Sequence, residues 1–304
     1  MTVEAGQRAT VAVAVATLWS APDAVGPVDR PALGPVTDIR AWVAGLPAAQ
    51  QIRDSVLSQL LLGEAVRVEE VRDGWARVVA PGQPAARLHA DGYPGWLPVA
   101  HLAAYSPAGD LVVNATATAL RDEPDGDVVL GGVVLGTRLT PAGERFRGWQ
   151  PVLLPGAQAP VWAVARDLAT LPAEPPAADR VLEVAARLLG VTYVWGGLSG
   201  YGIDCSGLVH LAWRRFGVTL PRDASEQAAA TTPLEFGEER PGDLYFFARP
   251  GKKIHHVGLV TAEPGDGARH MLHACYTSRK VTAEPVRGER AATLVAAHRV
   301  PAAG

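Results

Sequence analysis

Cys205 lies in the run Asp204-Cys205-Ser206-Gly207, at the start of an apolar stretch with helical spacing. The unpaired N–H groups of a first helical turn favour the thiolate, the reactive form of cysteine, so this placement suits a nucleophile. Asp204 can cap the same helix, and Gly207 lets another backbone approach closely. A thiol hydrolase also needs an imidazole, first as base towards the sulfur and then as acid towards the leaving amine. The run Lys253-Ile254-His255-His256-Val257-Gly258-Leu259-Val260 reads as a strand carrying two candidates, with Gly258 clearing space. Neighbours on a strand point to opposite faces, so only one of His255 and His256 can serve, and patterning does not choose between them. His273, in Met271-Leu272-His273-Ala274, belongs to the next strand across the turn Glu263-Pro264-Gly265-Asp266-Gly267. There it can stand beside His256 and orient the base. His270 falls on the other side of its strand and reads as solvent-facing. With Cys275 these residues include enough ligand types for zinc, but no C-x-x-C pair or H-E-x-x-H helix organises them. Cys275 reads as a core residue.

The chain is long enough for two or three domains at 304 residues, and 48% hydrophobic content supports real cores. Its 28 basic against 31 acidic residues give −3, without the basic stripe that nucleic acid or an anionic membrane would require. Two cysteines are too few for a secreted disulfide framework. No apolar run reaches the roughly 18 residues that span a bilayer. Ala9 to Trp19 could mimic a signal-peptide core, but Val11-Ala12-Val13-Ala14-Val15 also fits a half-buried strand, and the preceding side chains sum to about zero charge. A cytoplasmic monomer is the expectation, with export through residues 9–19 the alternative.

The elements that must position the candidate site fall on either side of the Pro-rich linker Leu171-Pro172-Ala173-Glu174-Pro175-Pro176. Upstream, short runs such as Ala65 to Val71, Trp75 to Val79, Asp127 to Val134 and Pro160 to Val164 read as strands, separated by Asp73-Gly74, Pro81-Gly82 and Gly131-Gly132. Asp38 to Leu62 instead has helical spacing and is divided by Pro47 into two expected helices. The strand-rich region is too long for one small barrel, so two are expected, meeting near Ser106-Pro107, with no obvious internal repeat. Downstream, Asp179 to Leu189 and Cys205 to Phe216 read as amphipathic helices closed by Gly190 and Gly217. Strands are expected over Asp243 to Phe247, Ile254 to Thr261, Ala268 to Tyr276 and Thr293 to Val300, which makes an α+β domain.

Five runs in order, Tyr193-Val194-Trp195-Gly196-Gly197, Asp204-Cys205-Ser206-Gly207-Leu208-Val209, Pro241-Gly242-Asp243-Leu244, His256-Val257-Gly258 and Leu272-His273-Ala274, resemble the NlpC/P60 family of cell-wall cysteine peptidases. That resemblance implies a papain-like fold and a triad of Cys205, His256 and His273, with Tyr193 and the nucleophile's own N–H holding the oxyanion. Ser58 to Glu64, Gly92 to Pro98 and Leu220 to Gln227 are similar to a narrower group, the SH3-containing γ-D-glutamyl-L-diamino acid peptidases that recycle murein peptides. The organisation so implied is an SH3-like domain with a helical insertion over 1–106, a second SH3-like domain over 107–172 and a papain-like catalytic domain over 173–304. In that group the first SH3-like domain closes one end of the cleft and admits only peptides with a free N-terminal L-Ala. By position, Glu64, Tyr93 and Asp223 would meet the substrate ammonium, as two carboxylates and a phenol suit a cation. Trp195 would line the specificity pocket, and Asp204 and Ser206, flanking the nucleophile, are further expected substrate contacts. Taken as ordinary structure, Asp223 with Glu226 would be an N-cap and capping box, Glu64 a charged turn residue, Tyr93 part of a turn and Trp195 core. Ala224 stands where some members carry Ser, which puts one substrate hydrogen bond in question.

The reaction so implied is hydrolysis of the γ-D-Glu–L-Lys or γ-D-Glu–diaminopimelate bond of a short murein peptide, releasing L-Ala-γ-D-Glu without a cofactor or metal. A secreted endopeptidase or amidase acting on intact wall is the rival within enzymes. A non-catalytic wall-binding module built on the SH3-like domains is the rival outside them.

Overall fold

All five residues of the strand Val15–Trp19 are buried. The segment Val11 to Val15, read as a single half-buried strand, instead carries the chain from the strand Arg8–Val11 into the strand Val15–Trp19. The computed structural model describes residues 3–265 and 268–301. It divides into one compact unit made of Met1–Leu171 with Val194–Tyr201 and a second made of Pro172–Tyr193 with Gly202–Gly304.

The first unit holds two seven-stranded sheets. In spatial order the first runs Val56–Leu61, Val15–Trp19, Tyr93–Pro98, Trp75–Ala80, Ala65–Arg72, Arg8–Val11 and Leu102–Ala104. The second runs Val128–Val134, Ala117–Arg121, Val161–Val164, Trp149–Leu153, Arg138–Pro141, Leu111–Val113 and Leu168–Thr170. Numbered by appearance in the chain, both sheets read third, second, sixth, fifth, fourth, first, seventh. The repeat that the sequence conceals is thus plain in the topology. Each copy enters its fifth strand from a left-handed pair, Asp73-Gly74 at φ 49° and 78° and Arg147-Gly148 at φ 46° and 86°. Such turns match the twist of a hairpin.

Two expectations fail here. Only Ile39–Gly45 of the supposed helical stretch is an α-helix, capped by Asp38, whose carboxylate accepts from the Ala41 N–H at 2.8 Å. The second half, Val56–Leu61, is a strand with five of its six residues buried, and burial on both faces erases the alternation that would have marked it. Gly131-Gly132 is no separator either. It lies within Val128–Val134, where the pairing register shifts between Leu130 and Val133.

The segment Val194–Tyr201 joins the first unit, although it was assigned to the catalytic domain. The Trp195 N–H donates to the Gln51 carbonyl at 2.8 Å, and the Leu198 N–H donates to Gln59 Oε1 at 2.9 Å. The linker residues Pro172 to Pro175 are exposed and carry no regular structure.

The second unit is a helical half followed by a sheet, as expected. Its helices are Ala178–Ala186, Cys205–Arg214 and Ala224–Ala229, with the short Gly288–Thr293 before the last strand. Its main sheet runs Lys280–Pro285, His270–Cys275, Ile254–Val260, Leu244–Ala248 and Leu294–Arg299, each pair antiparallel. Lys280–Pro285 is a strand the sequence did not announce. The helix Cys205–Arg214 packs on Ile254–Val260 and His270–Cys275, and every residue from Cys205 to Trp213 is buried. It is a core helix rather than the amphipathic one its pattern suggested. Two residues of the expected connecting turn, Asp266 and Gly267, lie outside the described residues.

Candidate active site

Cys205 opens its helix directly after Asp204, whose Oδ1 accepts from the Gly207 N–H at 2.7 Å and so caps the first turn. The same carboxylate forms a buried pair with Arg222, at 2.9 Å from Nη1 to Oδ1 and 2.8 Å from Nη2 to Oδ2. Ser206 Oγ lies 3.1 Å from Arg222 Nη1 and 3.3 Å from Asp204 Oδ1. Asp204 and Ser206, expected to contact substrate, thus use these side chains to seat the nucleophile. Arg222 lies in the run Leu220 to Gln227. Its partner Asp204 lies 18 positions away, so no spacing in the sequence marks the pair.

The base comes from the next layer. His256 is buried and His255 is exposed, so His256 is the one of the two that faces the interior. His256 Nε2 stands 2.7 Å from His273 Nδ1, and His273 Nε2 stands 3.1 Å from Glu284 Oε1. Gly258 makes this pairing possible: a Cβ there would lie 2.9 Å from Met271 Sδ and 3.2 Å from His273 Cβ. His270 is exposed, as read. The thiol of Cys205 reaches the backbone N–H groups of Val257, next to His256, and of Ser206.

Electrostatics correct one expectation. The helix start was expected to favour the thiolate, but burial, reinforced by the Asp204 charge, pushes the Cys205 thiol up to about 12. Burial pushes His256 well below the usual imidazole range, helped by His273 and Arg290, and pushes His273 down to about 3. Each of these shifts favours the neutral form, for the Cys205 thiol and for the His256 and His273 imidazoles alike. Tyr193 is buried and feels the charges of Cys205 and Asp204, and burial raises its phenol far above the ordinary value. It remains an O–H donor, which suits an oxyanion.

The remaining expected site residues separate by unit. In the second, Asp223 precedes Ala224–Ala229, but its side chain makes no capping bond, so the ordinary-structure alternative of an N-cap and capping box is not what forms. In the first, Glu64 is buried, with Oε1 accepting from the Leu61 N–H at 2.9 Å and Oε2 facing Gln83 Nε2 at 3.4 Å. Tyr93 opens a strand and packs in that unit's core rather than in a turn. Trp195 is 41% exposed and is not a core residue.

Among the described residues, His273, Cys275 and Glu284 form one group whose ligand atoms lie within 4.8 Å of one another. Arg290 Nη2 stands 3.8 Å from Cys275 Sγ, so a cation already occupies the edge of that group.

A cysteine at a helix start, a buried histidine pair on adjacent strands and a phenol donor define the site of a thiol hydrolase on an α+β scaffold. Residues 190–300 match the NlpC/P60 family, and residues 49–102 match the bacterial dipeptidyl-peptidase SH3 domain. A γ-D-glutamyl-L-lysine dipeptidyl-peptidase of Bacillus cereus is 31% identical over 92% of this chain and 86% of its own. The enzyme of the same name from Bacillus subtilis is 31% identical over 90% of this chain and 91% of its own. A crystal structure of an NlpC/P60 family protein from Bacillus cereus superimposes with a TM-score of 0.87 at 29% identity, covering 97% of this chain and 99% of that one. The chain belongs to the NlpC/P60 family of cysteine peptidases, and it carries a bacterial SH3 domain ahead of the peptidase domain.

Proposed function

We propose that this peptidase hydrolyses the γ-D-Glu–L-diamino acid bond of short peptidoglycan-derived peptides and releases L-Ala-γ-D-Glu. The observation that carries the reading is the buried His256–His273 pair, 2.7 Å apart on the two adjacent strands that pack against the Cys205 helix. The names of the relatives matched over nine-tenths of the chain support the choice of bond.

Cys205 gives its proton to His256 as the sulfur attacks the γ-carbonyl, and the oxyanion is held by the Cys205 N–H and the Tyr193 hydroxyl. Collapse breaks the C–N bond, and His256 passes the proton to the departing amine. Water, deprotonated by His256, then cleaves the thioester and frees the dipeptide acid. His273 orients the base throughout. The chemistry is complete with these side chains.

The substrate is a peptide whose L-Ala amine is free, and the enzyme acts in the cytoplasm on recycled wall fragments. The second sheet, with the strand order of the first, is a second SH3-like domain. Glu64, Tyr93 and Asp223 are assigned to selection of the free amine, and Trp195 to the specificity pocket.

Turnover of L-Ala-γ-D-Glu-L-Lys and of its N-acetylated form tests this reading. Cleavage of the free peptide at least about tenfold faster is expected, since one ionic contact exceeds 1.4 kcal/mol. Equal rates would remove the free-amine requirement, and cleavage of neither would favour a wall-binding module.

A further inference from the structure

A carboxylate has no proton to give, which fixes the direction of every bond in the chain His256–His273–Glu284. Glu284 Oε1 lies 3.1 Å from His273 Nε2, so Nε2 carries the proton and donates it. A neutral imidazole has only one N–H, so His273 Nδ1 holds a lone pair. His256 Nε2 lies 2.7 Å from that lone pair and must be the donor. The proton of neutral His256 is then on Nε2, and its Nδ1 is left as the free base. The opposite order would place two N–H groups, or two lone pairs, face to face between the rings.

We propose that Glu284 is a positioning residue, which locks the tautomers of His273 and His256 so that His256 presents an unprotonated Nδ1 to the nucleophile. This rests on the assignment of Cys205 and His256 as nucleophile and base. Sheet geometry supports the role. Glu284 pairs with Met271 across the antiparallel strands, two residues from His273, so the two side chains share one face as diagonal neighbours. No other carboxylate is hydrogen-bonded to either ring among the described residues. Glu284 is also partly solvent-exposed, with a side chain at 36%, so its replacement opens no cavity. When His256 takes the thiol proton, the cation so formed is stabilised through the same chain. Arg290, whose charge acts on both rings, opposes that cation, and Glu284 supplies the compensating sign.

The test joins kinetics to histidine nitrogen NMR. In the wild-type protein labelled with 15N-histidine, His273 is expected to be protonated at Nε2, its signals being identified by their loss in His273→Asn. Glu284→Ala is expected to lower kcat about 10- to 100-fold, the effect of an outer orienting partner, with KM changed less than about threefold. It is also expected to lose the single His273 tautomer. Glu284→Gln, whose amide oxygen still accepts, is expected to fall between the two. An Nδ1-protonated His273 in the wild-type protein overturns the proposal. So does full kcat in Glu284→Ala, or a loss of kcat with the tautomer unchanged. The NMR result needs no turnover, so full activity in Cys205→Ala would refute the catalytic reading while leaving the tautomer lock to be judged on its own signal.

Discussion

His256 Nε2 and His273 Nδ1 are held 2.7 Å apart by a backbone position that has no side chain, Gly258. A methyl there would meet Met271 Sδ at 2.9 Å and His273 Cβ at 3.2 Å. The thioether can move aside, but His273 Cβ is tied to its strand and must shift by a few tenths of an ångström. Gly258→Ala is therefore expected to lower kcat by about tenfold through a stretched histidine pair, with a smaller effect on stability. Steady-state kinetics beside thermal unfolding of the same variant check this.

The shift of the Cys205 thiol towards its neutral form makes a prediction about reactivity. Alkylation follows the thiolate fraction, and a thiol pushed up to about 12 gains thiolate with every added pH unit. Iodoacetamide labelling of Cys205, located by peptide mapping, is expected to rise about tenfold per unit from about pH 6 to 9. A plateau within that range would mean a preformed ion pair.

Arg222 is 1% exposed and faces Asp204 with both Nη atoms. Arg222→Leu leaves that carboxylate buried without its partner, at an expected cost of about 3–5 kcal/mol in unfolding free energy. It also loosens the turn that carries Cys205, so activity should fall at temperatures where the variant is still folded. Urea denaturation and assays well below the midpoint separate the two effects.

Acid should destabilise the catalytic unit through histidines that are buried neutral. His210 sits inside the core helix, bonded through Nδ1 to the Leu220 carbonyl at 2.8 Å, and burial lowers it to about 3. The unfolded chain, with histidines near about 6.5, takes up the proton first. The stability due to neutral His210 is thus complete above about 6.5 and is lost as the pH falls from there towards about 3. Denaturation midpoints should decline over that window. The decline should be shallower in His210→Asn, with His273 contributing a similar share that remains.

The sequence disclosed the chemistry better than the architecture that supports it. Cys205, His255, His256 and His273 stand out because such residues are scarce and their strands are strongly apolar. Burial then separates His256 from the exposed His255. Arg222 and Glu284 escaped notice because charged residues are common and their partners lie 18 and 11 positions away. Glu284 was further hidden by its strand, where only Lys280-Val281-Thr282 alternates clearly. The duplicated sheet left a faint trace: Trp96 and Trp162 each precede a Leu-Ala pair by six residues, with a 3-10 turn at the same offset. Loops of different length on either side blur the repeat. Val56–Leu61 misled because a strand buried on both faces and a buried helix share one composition.

The most direct measurement is kcat/KM for release of L-Lys from L-Ala-γ-D-Glu-L-Lys by the wild-type protein and by Cys205→Ser, each checked for folding. With Cys205 as the nucleophile, the substitution should cost at least about 10⁴-fold. Activity within a few fold of wild type in Cys205→Ser would contradict it.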